Sequence, residues 1–278
     1  MLTLYKYRNS ICTQKVFITL AEKSLPYETT ELNLFKSEQY NPAYLKINPK
    51  GVVPSLVHDG RVVIESTLIC EYLDECFPRP PLVPTDPHQR TRMRLWSKAV
   101  DEGLFSATRE LSFSAMFRER LRNMTEEQRQ SRFRNVGDPE RGAHIRSCYE
   151  HGVESPYVFQ GIAAFEKAFK TMEADLAAGG PWLLGSDFTL ADVNMMPFVA
   201  RLDYLDLLDV WISDRHRVQA WWKRAKARPS FITAIPDVLT ESEVVEMRTF
   251  GSRIRQRVGE RRAEYLSELS QPTLSGAA

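Results

Sequence analysis

Ser10 and Cys12 sit two positions apart where a strand-like run gives way to a helical one, and both residue types can manage a sulfur anion. A helix N-terminus presents unpaired N–H groups and positive potential, which stabilises a thiolate or another anion placed there. Ser10 could donate a hydrogen bond to a bound thiolate, and Cys12 could itself be a low-pKa nucleophile. Taken alone, the pair reads as an N-cap and a small buried residue.

Three further pairs have spacing suited to binding or capping. Val53-Pro54 ends the run NPKGVVP. An extended backbone beside a cis proline exposes N–H and C=O groups that can pair with a peptide-like ligand, and a simple strand entrance fits the same residues. Glu65-Ser66 opens a helical run, so Glu65 could take an ammonium while Ser66 and the N–H groups beside it take a carboxylate. An ordinary N-cap is the competing reading. Thr189-Leu190-Ala191-Asp192 has reciprocal capping spacing and is read as structural, without a catalytic role.

The elements that must carry these residues follow from local pattern. LTLYKYR (2–8) alternates and suits a first strand. QKVFITLAEK places Val16, Phe17 and Leu20 on one helical face, with Ser10 or Thr13 as cap. YETTELNL (27–34) fits a second strand, and a helix is expected around 39–46. VVPSLV and RVVIES are β-branched runs joined by Asp59-Gly60, a hairpin signal. Pro54 belongs at a strand entrance, because a central position would cost a ladder bond. A helix then runs through TLICEYLDECF and stops before Pro78. The order βαβ–α–ββα is that of a compact α/β domain.

PRPPLVPTDP (78–87) carries five prolines in ten positions, which no helix or central strand survives, and marks a domain boundary. Beyond it the chain reads helical. Residues 122–155 are polar, Arg-rich and weakly periodic, and are expected to connect helices. A later helix starts at Thr189 and carries Pro197, and the Arg/Glu-rich stretch 241–278 reads as a helical tail with a frayed end. The divisions are therefore 1–80, a linker at 81–87, a helical part at 88–240, and the tail.

Composition narrows the classes. The 278 residues carry 37 Lys plus Arg against 36 Asp plus Glu, a net charge of +1. That balance excludes a chain-wide basic footprint for nucleic acid, though not a local patch. No stretch approaches the ~20 apolar residues of a membrane span. RTFGSRIRQRVGERR is basic, but Glu interrupts it and its apolar stripe is thin, so a helix packed on its own domain is expected rather than one docked on a membrane. MLTLYKYRNS lacks an apolar segment of the secretory kind. Cys12, Cys70, Cys76 and Cys148 are too few for a disulfide scaffold in this length, and the expectation is a cytoplasmic protein with reduced thiols.

Strand–SxC–helix, NPKGVVP, ES opening a helix, a proline linker and a helical part containing GSDFTLADV together resemble the glutathione transferase superfamily. The resemblance implies a thioredoxin-like domain over roughly 1–78 and an all-helical domain over roughly 88–235. NSICTQKVFITLAEK is similar to the first-helix entry of phi-, zeta- and dehalogenase-type members. KINPKGVVPSLVHDGRVVIESTLICEYLDECFP, running into DPHQRTRMRLWSKAVDE, is similar to the bacterial glutathione-dependent β-aryl etherases. VARLDYLDL and VWISDRHRVQAWWKRAKARPSF are similar to the tetrachlorohydroquinone reductive dehalogenases.

The resemblance implies roles residue by residue. Ser10 matches the serine that stabilises the glutathione thiolate, and Cys12 the cysteine that attacks a glutathionyl intermediate. Val53 matches the residue whose backbone pairs with the cysteinyl part of glutathione, with Pro54 as the cis-proline. Glu65 and Ser66 match the pair that binds the γ-glutamyl end. Gln39 and Lys50 lie where members place groups for the glycyl carboxylate. No tyrosine fills the first-loop catalytic slot, since Tyr5 and Tyr7 sit on the strand, and a tyrosine-type transferase is excluded. An aromatic electrophile is expected in an apolar pocket lined by Tyr7, Ile11, Phe105, Phe113, Met116 and Phe117; core packing is the competing reading for each. Glutathione is the expected co-substrate, with no metal, and a homodimer is the expected assembly. The activity implied is displacement of a leaving group by the glutathione thiolate, as in β-aryl ether cleavage. The alternatives are Cys12-dependent dehalogenation by thiol–disulfide exchange and a non-catalytic binding module.

Overall fold

The computed structural model describes residues 1–134 and 139–270. Its N-terminal part runs β1 (Leu2–Lys6), α1 (Ile11–Glu22), β2 (Glu28–Glu31), α2 (Pro42–Leu45), β3 (Ser55–His58), β4 (Arg61–Ile64) and α3 (Ser66–Cys76). The sheet order is β2-β1-β3-β4. β1 and β2 are parallel across α1, while β1–β3 and β3–β4 are antiparallel. The hairpin turns at Asp59-Gly60, both with positive φ (48° and 79°), the twist that suits a two-residue loop.

Two expected elements are shorter than read. β2 covers only Glu28–Glu31, and all four residues are exposed at the sheet edge. The helix expected over 39–46 is a 3₁₀ turn at Glu38–Tyr40 followed by α2, because Asn41 interrupts it with extended backbone and caps Ala43. Thr13 is not the cap of α1; Ser10 is.

The helical part comprises α4 (Pro87–Ala99), α5 (Phe105–Ser112), α6 (Arg118–Arg122), α7 (Glu126–Arg134), α8 (Pro139–His151), α9 (Pro156–Ala177), α10 (Leu190–Tyr204), α11 (Asp209–Ile212), α12 (His216–Lys226), α13 (Pro229–Ala234) and α14 (Glu241–Ser270). Asp86 caps α4 through the Gln89 N–H at 2.8 Å, with Pro87 in the first turn. α4, α5 and α6 join end to end through π turns at Val100–Leu104 and Phe113–Phe117. Such turns insert a residue and re-aim the side chains around them.

The stretch read as a polar connection is largely helical, as α7 and α8. Glu126 pairs with Arg129 at 2.7 Å and Gln130 at 2.6 Å, and Leu121, Phe133 and Ile145 form a small buried cluster there, apart from the main core that Cys148 and Val153 join. Helix formation rests on such i,i+3 and i,i+4 pairs, so the apolar period is nearly invisible in the sequence.

α14 packs along α9 and the end of α10. Its thin apolar stripe is supplemented by ion pairs, Arg255 to Asp206 at 2.9 Å and Arg262 to Glu166 at 2.6 Å. Gly251 lets its backbone approach so closely that a Cβ there would lie 1.9 Å from the Leu205 oxygen. The frayed end expected after Ser270 lies outside the described residues. No described helix is long and apolar enough to cross a membrane.

One core runs through both parts, from Leu4 and Ile18 to Phe165, Met196 and Trp221. The proline segment is pinned to α1 and α3: Asp74 accepts from Leu82 N–H at 2.8 Å, and Lys23 donates to Pro80 O at 2.8 Å.

Candidate active site

The first loop, Tyr7 to Ser10, closes with the Ser10 N–H on Tyr7 O at 2.9 Å. Ser10 Oγ then accepts from Thr13 N–H at 3.4 Å, and no acidic residue occupies the first turn of α1. Capping consumes a lone pair of the hydroxyl and leaves its proton free to donate. The positive end of α1 is likewise left without a local counter-charge.

Cys12 is half-buried. Burial pushes its thiol above the ordinary cysteine range, with the Lys15 ammonium and a Ser66 hydrogen bond pulling back and Asp101 and Glu65 adding to the rise. This runs against the low-pKa nucleophile the sequence allowed. Lys15, which sequence reading missed, has no exposed side-chain surface. It donates to Thr67 Oγ1 at 2.8 Å, and Thr67 donates on to Asp101 at 2.9 Å.

The Val53-Pro54 bond is cis. Val53 precedes β3, and neither its N–H nor its C=O has a hydrogen-bond partner among the described residues. Its neighbours are tethered instead. Tyr44 Oη donates to Val52 O at 2.6 Å and meets Ser55 Oγ at 2.8 Å, and Asn48 Nδ2 donates to Val52 O at 2.9 Å. Tyr44 and Asn48 thus hold an extended segment whose central polar groups are unspent. The sequence signal was only position, Asn48 opening NPKGVVP and Tyr44 lying four residues before it.

Ser66 is the first residue of α3, and Glu65 before it has φ +70°. A non-glycine residue there costs roughly 1–3 kcal/mol, a cost that concentrates at functional sites. Glu65 and Lys50 are paired at 2.6 Å, both largely exposed. Gln39 is buried, and its side-chain oxygen has no hydrogen-bond partner among the described residues.

The aromatic candidates divide. Tyr7 meets Phe35 at 6.0 Å between centroids, Phe35 meets Phe117 at 5.9 Å, and Phe117 meets Phe113 at 4.9 Å. Arg120 lies 4.4 Å above Phe35 and 5.5 Å from Phe117. Tyr7, Phe113 and Phe117 are therefore gathered, by the second π turn and by Phe35, which sequence reading missed. Three others lie outside this ring cluster. Met116 has no exposed surface and belongs to the core, facing inward from the same turn that turns Phe117 out. Ile11 is also buried in the core, and Phe105 pairs with Arg109 at 5.9 Å and makes no ring contact with that cluster. Among the described residues no group of His, Cys, Asp and Glu could hold a metal ion.

Residues 4–81 match the glutathione S-transferase N-terminal domain, and residues 129–224 match its C-terminal domain. Protein LigF of Sphingobium sp. strain SYK-6 is 47% identical over 103 residues, which span 36% of this chain and 40% of that protein. The crystal structure of the β-etherase LigF superposes with TM-score 0.73 at 28% identity, covering 84% of this chain and 98% of that one. The tetrachloro-p-hydroquinone reductive dehalogenase of Sphingobium chlorophenolicum is 29% identical, over 84% of this chain and 94% of that protein. The maleylacetoacetate isomerase of Pseudomonas aeruginosa is 30% identical, over 84% and 95%.

Proposed function

The chain belongs to the glutathione S-transferase family, and from that premise we propose that it is an enzyme in which Ser10 holds glutathione as a thiolate for attack on an aromatic electrophile. The single observation that carries this reading is the Ser10 hydroxyl, whose proton is unspent at the N-terminus of α1, a helix with no acidic residue in its first turn. The cysteinyl backbone of glutathione pairs with the free N–H and C=O of Val53 beside cis-Pro54. The γ-glutamyl carboxylate meets Ser66 and the start of α3, and its ammonium meets Glu65. Lys50, drawn off Glu65, faces the glycyl carboxylate, with the Gln39 side chain alongside.

A thiol with an ordinary pKa of ~8.5 is mostly protonated at neutral pH, and lowering it by two units takes about 2.7 kcal/mol. A hydrogen bond to the charged sulfur contributes roughly 1.5–3 kcal/mol and the helix terminus roughly 0.3–1. Together they suffice. The thiolate forms a C–S bond as the C–O bond of an aryl ether breaks, and the departing phenolate takes a proton from solvent. Tyr7, Phe35, Phe113 and Phe117 supply the apolar wall for the ring.

A second reading is favoured by the likeness to the dehalogenase over nearly its whole length. There Cys12 attacks the sulfur of a glutathionyl aromatic, the ring carbon gains a proton, and a second glutathione thiolate releases glutathione disulfide. The upward push on the Cys12 thiol weighs against it. The test compares Ser10→Ala with Cys12→Ala, reading bound-thiolate absorbance near 240 nm and phenol release from a β-aryl ether dimer. Ser10→Ala is expected to slow release on the order of 100-fold, and Cys12→Ala less than about 3-fold. The reverse pattern transfers the reaction to Cys12. Glutathione that binds with no turnover in the wild type reduces the protein to a binding module.

A further inference from the structure

The last helix begins beside the catalytic loop. Glu243, 8% exposed in the first turn of α14, closes a reciprocal cap with Thr240. Its Oε2 accepts from Thr240 N–H and Oγ1, both at 3.0 Å, and its own N–H donates to Thr240 Oγ1 at 3.2 Å. A capping box needs nothing more. Yet Oε1 also accepts from Asn9 Nδ2 at 3.3 Å, and Arg8 Nε reaches Oε2 at 3.3 Å. One carboxylate therefore holds both residues that precede Ser10, from the far end of the chain.

Asn9 is gripped on its other side too, where Arg201 donates to its backbone O at 2.8 Å and to Oδ1 at 2.5 Å. Both ends of the Asn9 side-chain amide are thus fixed. Asn9 leads directly into the N-cap, so its orientation sets where the Ser10 hydroxyl points. One turn further along α14, Glu246 holds Arg120, the cation over Phe35 and Phe117. Residues 241–270 lie beyond the stretch that matches the family's C-terminal domain.

We infer that Glu243 is a positioning residue for Ser10, and that α14 is the outer clamp of the catalytic loop. The inference rests on the Ser10 reading above. Glu243 is itself an anion near the sulfur site, so its charge alone would oppose thiolate formation, whereas its hold on Asn9 would favour it. The two roles predict opposite signs.

The test titrates the thiol of bound glutathione by its absorbance near 240 nm in full-length protein. Glu243→Ala is expected to raise the midpoint by about one pH unit and to lower kcat/KM for glutathione about 10-fold. Glu243→Gln keeps an acceptor for Asn9 and is expected to stay within about 2-fold of wild type. Thr240→Ala removes the cap alone and leaves the midpoint in place. Should Glu243→Ala fail to fold, Asn9→Asp keeps the Oδ1 acceptor for Arg201 while removing the donor to Glu243; it is expected to raise the midpoint, and an unmoved midpoint there overturns the inference. An unmoved or lowered midpoint in Glu243→Ala overturns the inference, as does an equal rise in Thr240→Ala. Wild-type protein that leaves bound glutathione protonated removes the Ser10 reading and this one with it; an ionised wild type with an unmoved Glu243→Ala removes this one alone.

Discussion

Arg201 and Asn9 meet across the boundary between sheet and helices, with the buried guanidinium of Arg201 donating to the backbone and side-chain oxygens of Asn9 at 2.8 and 2.5 Å. No carboxylate lies within ion-pair distance of Arg201 among the described residues, and burial pulls its pKa down to about 10, with Tyr7 and Glu243 pulling back. Such a cation is retained by the acceptors it satisfies. Arg201→Met keeps most of the packing and leaves two oxygens of Asn9 buried without that donor, so a loss of about 2–4 kcal/mol is expected. Arg201→Lys reaches one of them and loses less. Urea unfolding midpoints read both; a Met variant as stable as wild type would mean that Asn9 does not depend on this contact.

Leu68 on α3 and Leu95 on α4 are 56% and 60% exposed. Between the two helices runs a cleft of about 390 Å³ lined by Leu68, Glu71, Arg94 and Asp101. Leu68 lines this cleft beside the Arg94–Glu71 ion pair, and exposed apolar surface rimmed by charges is the kind a partner covers. With the homodimer that family resemblance implies, the expectation is a dimer joined through this face. Leu68→Glu with Leu95→Glu should halve the mass seen by light scattering, and a monomeric wild type would dispose of the idea.

The legible parts of the site were those written in adjacent residues. Ser10 as N-cap, Asp59-Gly60 as turn, Pro54 at a strand entrance and Glu65-Ser66 at a helix start each depend on a few consecutive dihedrals and side chains. The unread parts depend on packing between distant elements. Phe35 is an ordinary aromatic in a 3₁₀ turn until α5 and α6 bring Phe117 to it. Lys15 reads as a surface lysine until Thr67 and Asp101 receive it. Met116 and Phe117 are indistinguishable by type, and the π turn decides which faces in. Glu243 pairs with Asn9 across 234 residues, beyond the reach of any period or local motif.

Asp192 should give a pH signature whose sign follows from its burial. Fully buried, it accepts from Leu183 N–H at 3.0 Å, Trp221 Nε1 at 2.8 Å and Thr189 N–H at 3.1 Å. Burial nevertheless pushes its carboxyl up to about 6 from 3.8, against those donors. A folded-state value above the unfolded one means that the native state binds the extra proton between those two values. Its contribution to stability is therefore fully present below pH ~4, falls as pH rises through ~6, and is constant above, a span of roughly 3 kcal/mol. Asp192→Asn cannot titrate, and its amide turns a donor toward groups that already donate, so it is expected to be less stable at every pH. The gap between wild type and variant should widen as pH drops from 7 to 4.5 in chemical denaturation, other titrating groups cancelling in the difference. A gap that narrows toward acid would mean that the converging N–H groups outweigh burial and hold this carboxyl below its ordinary range.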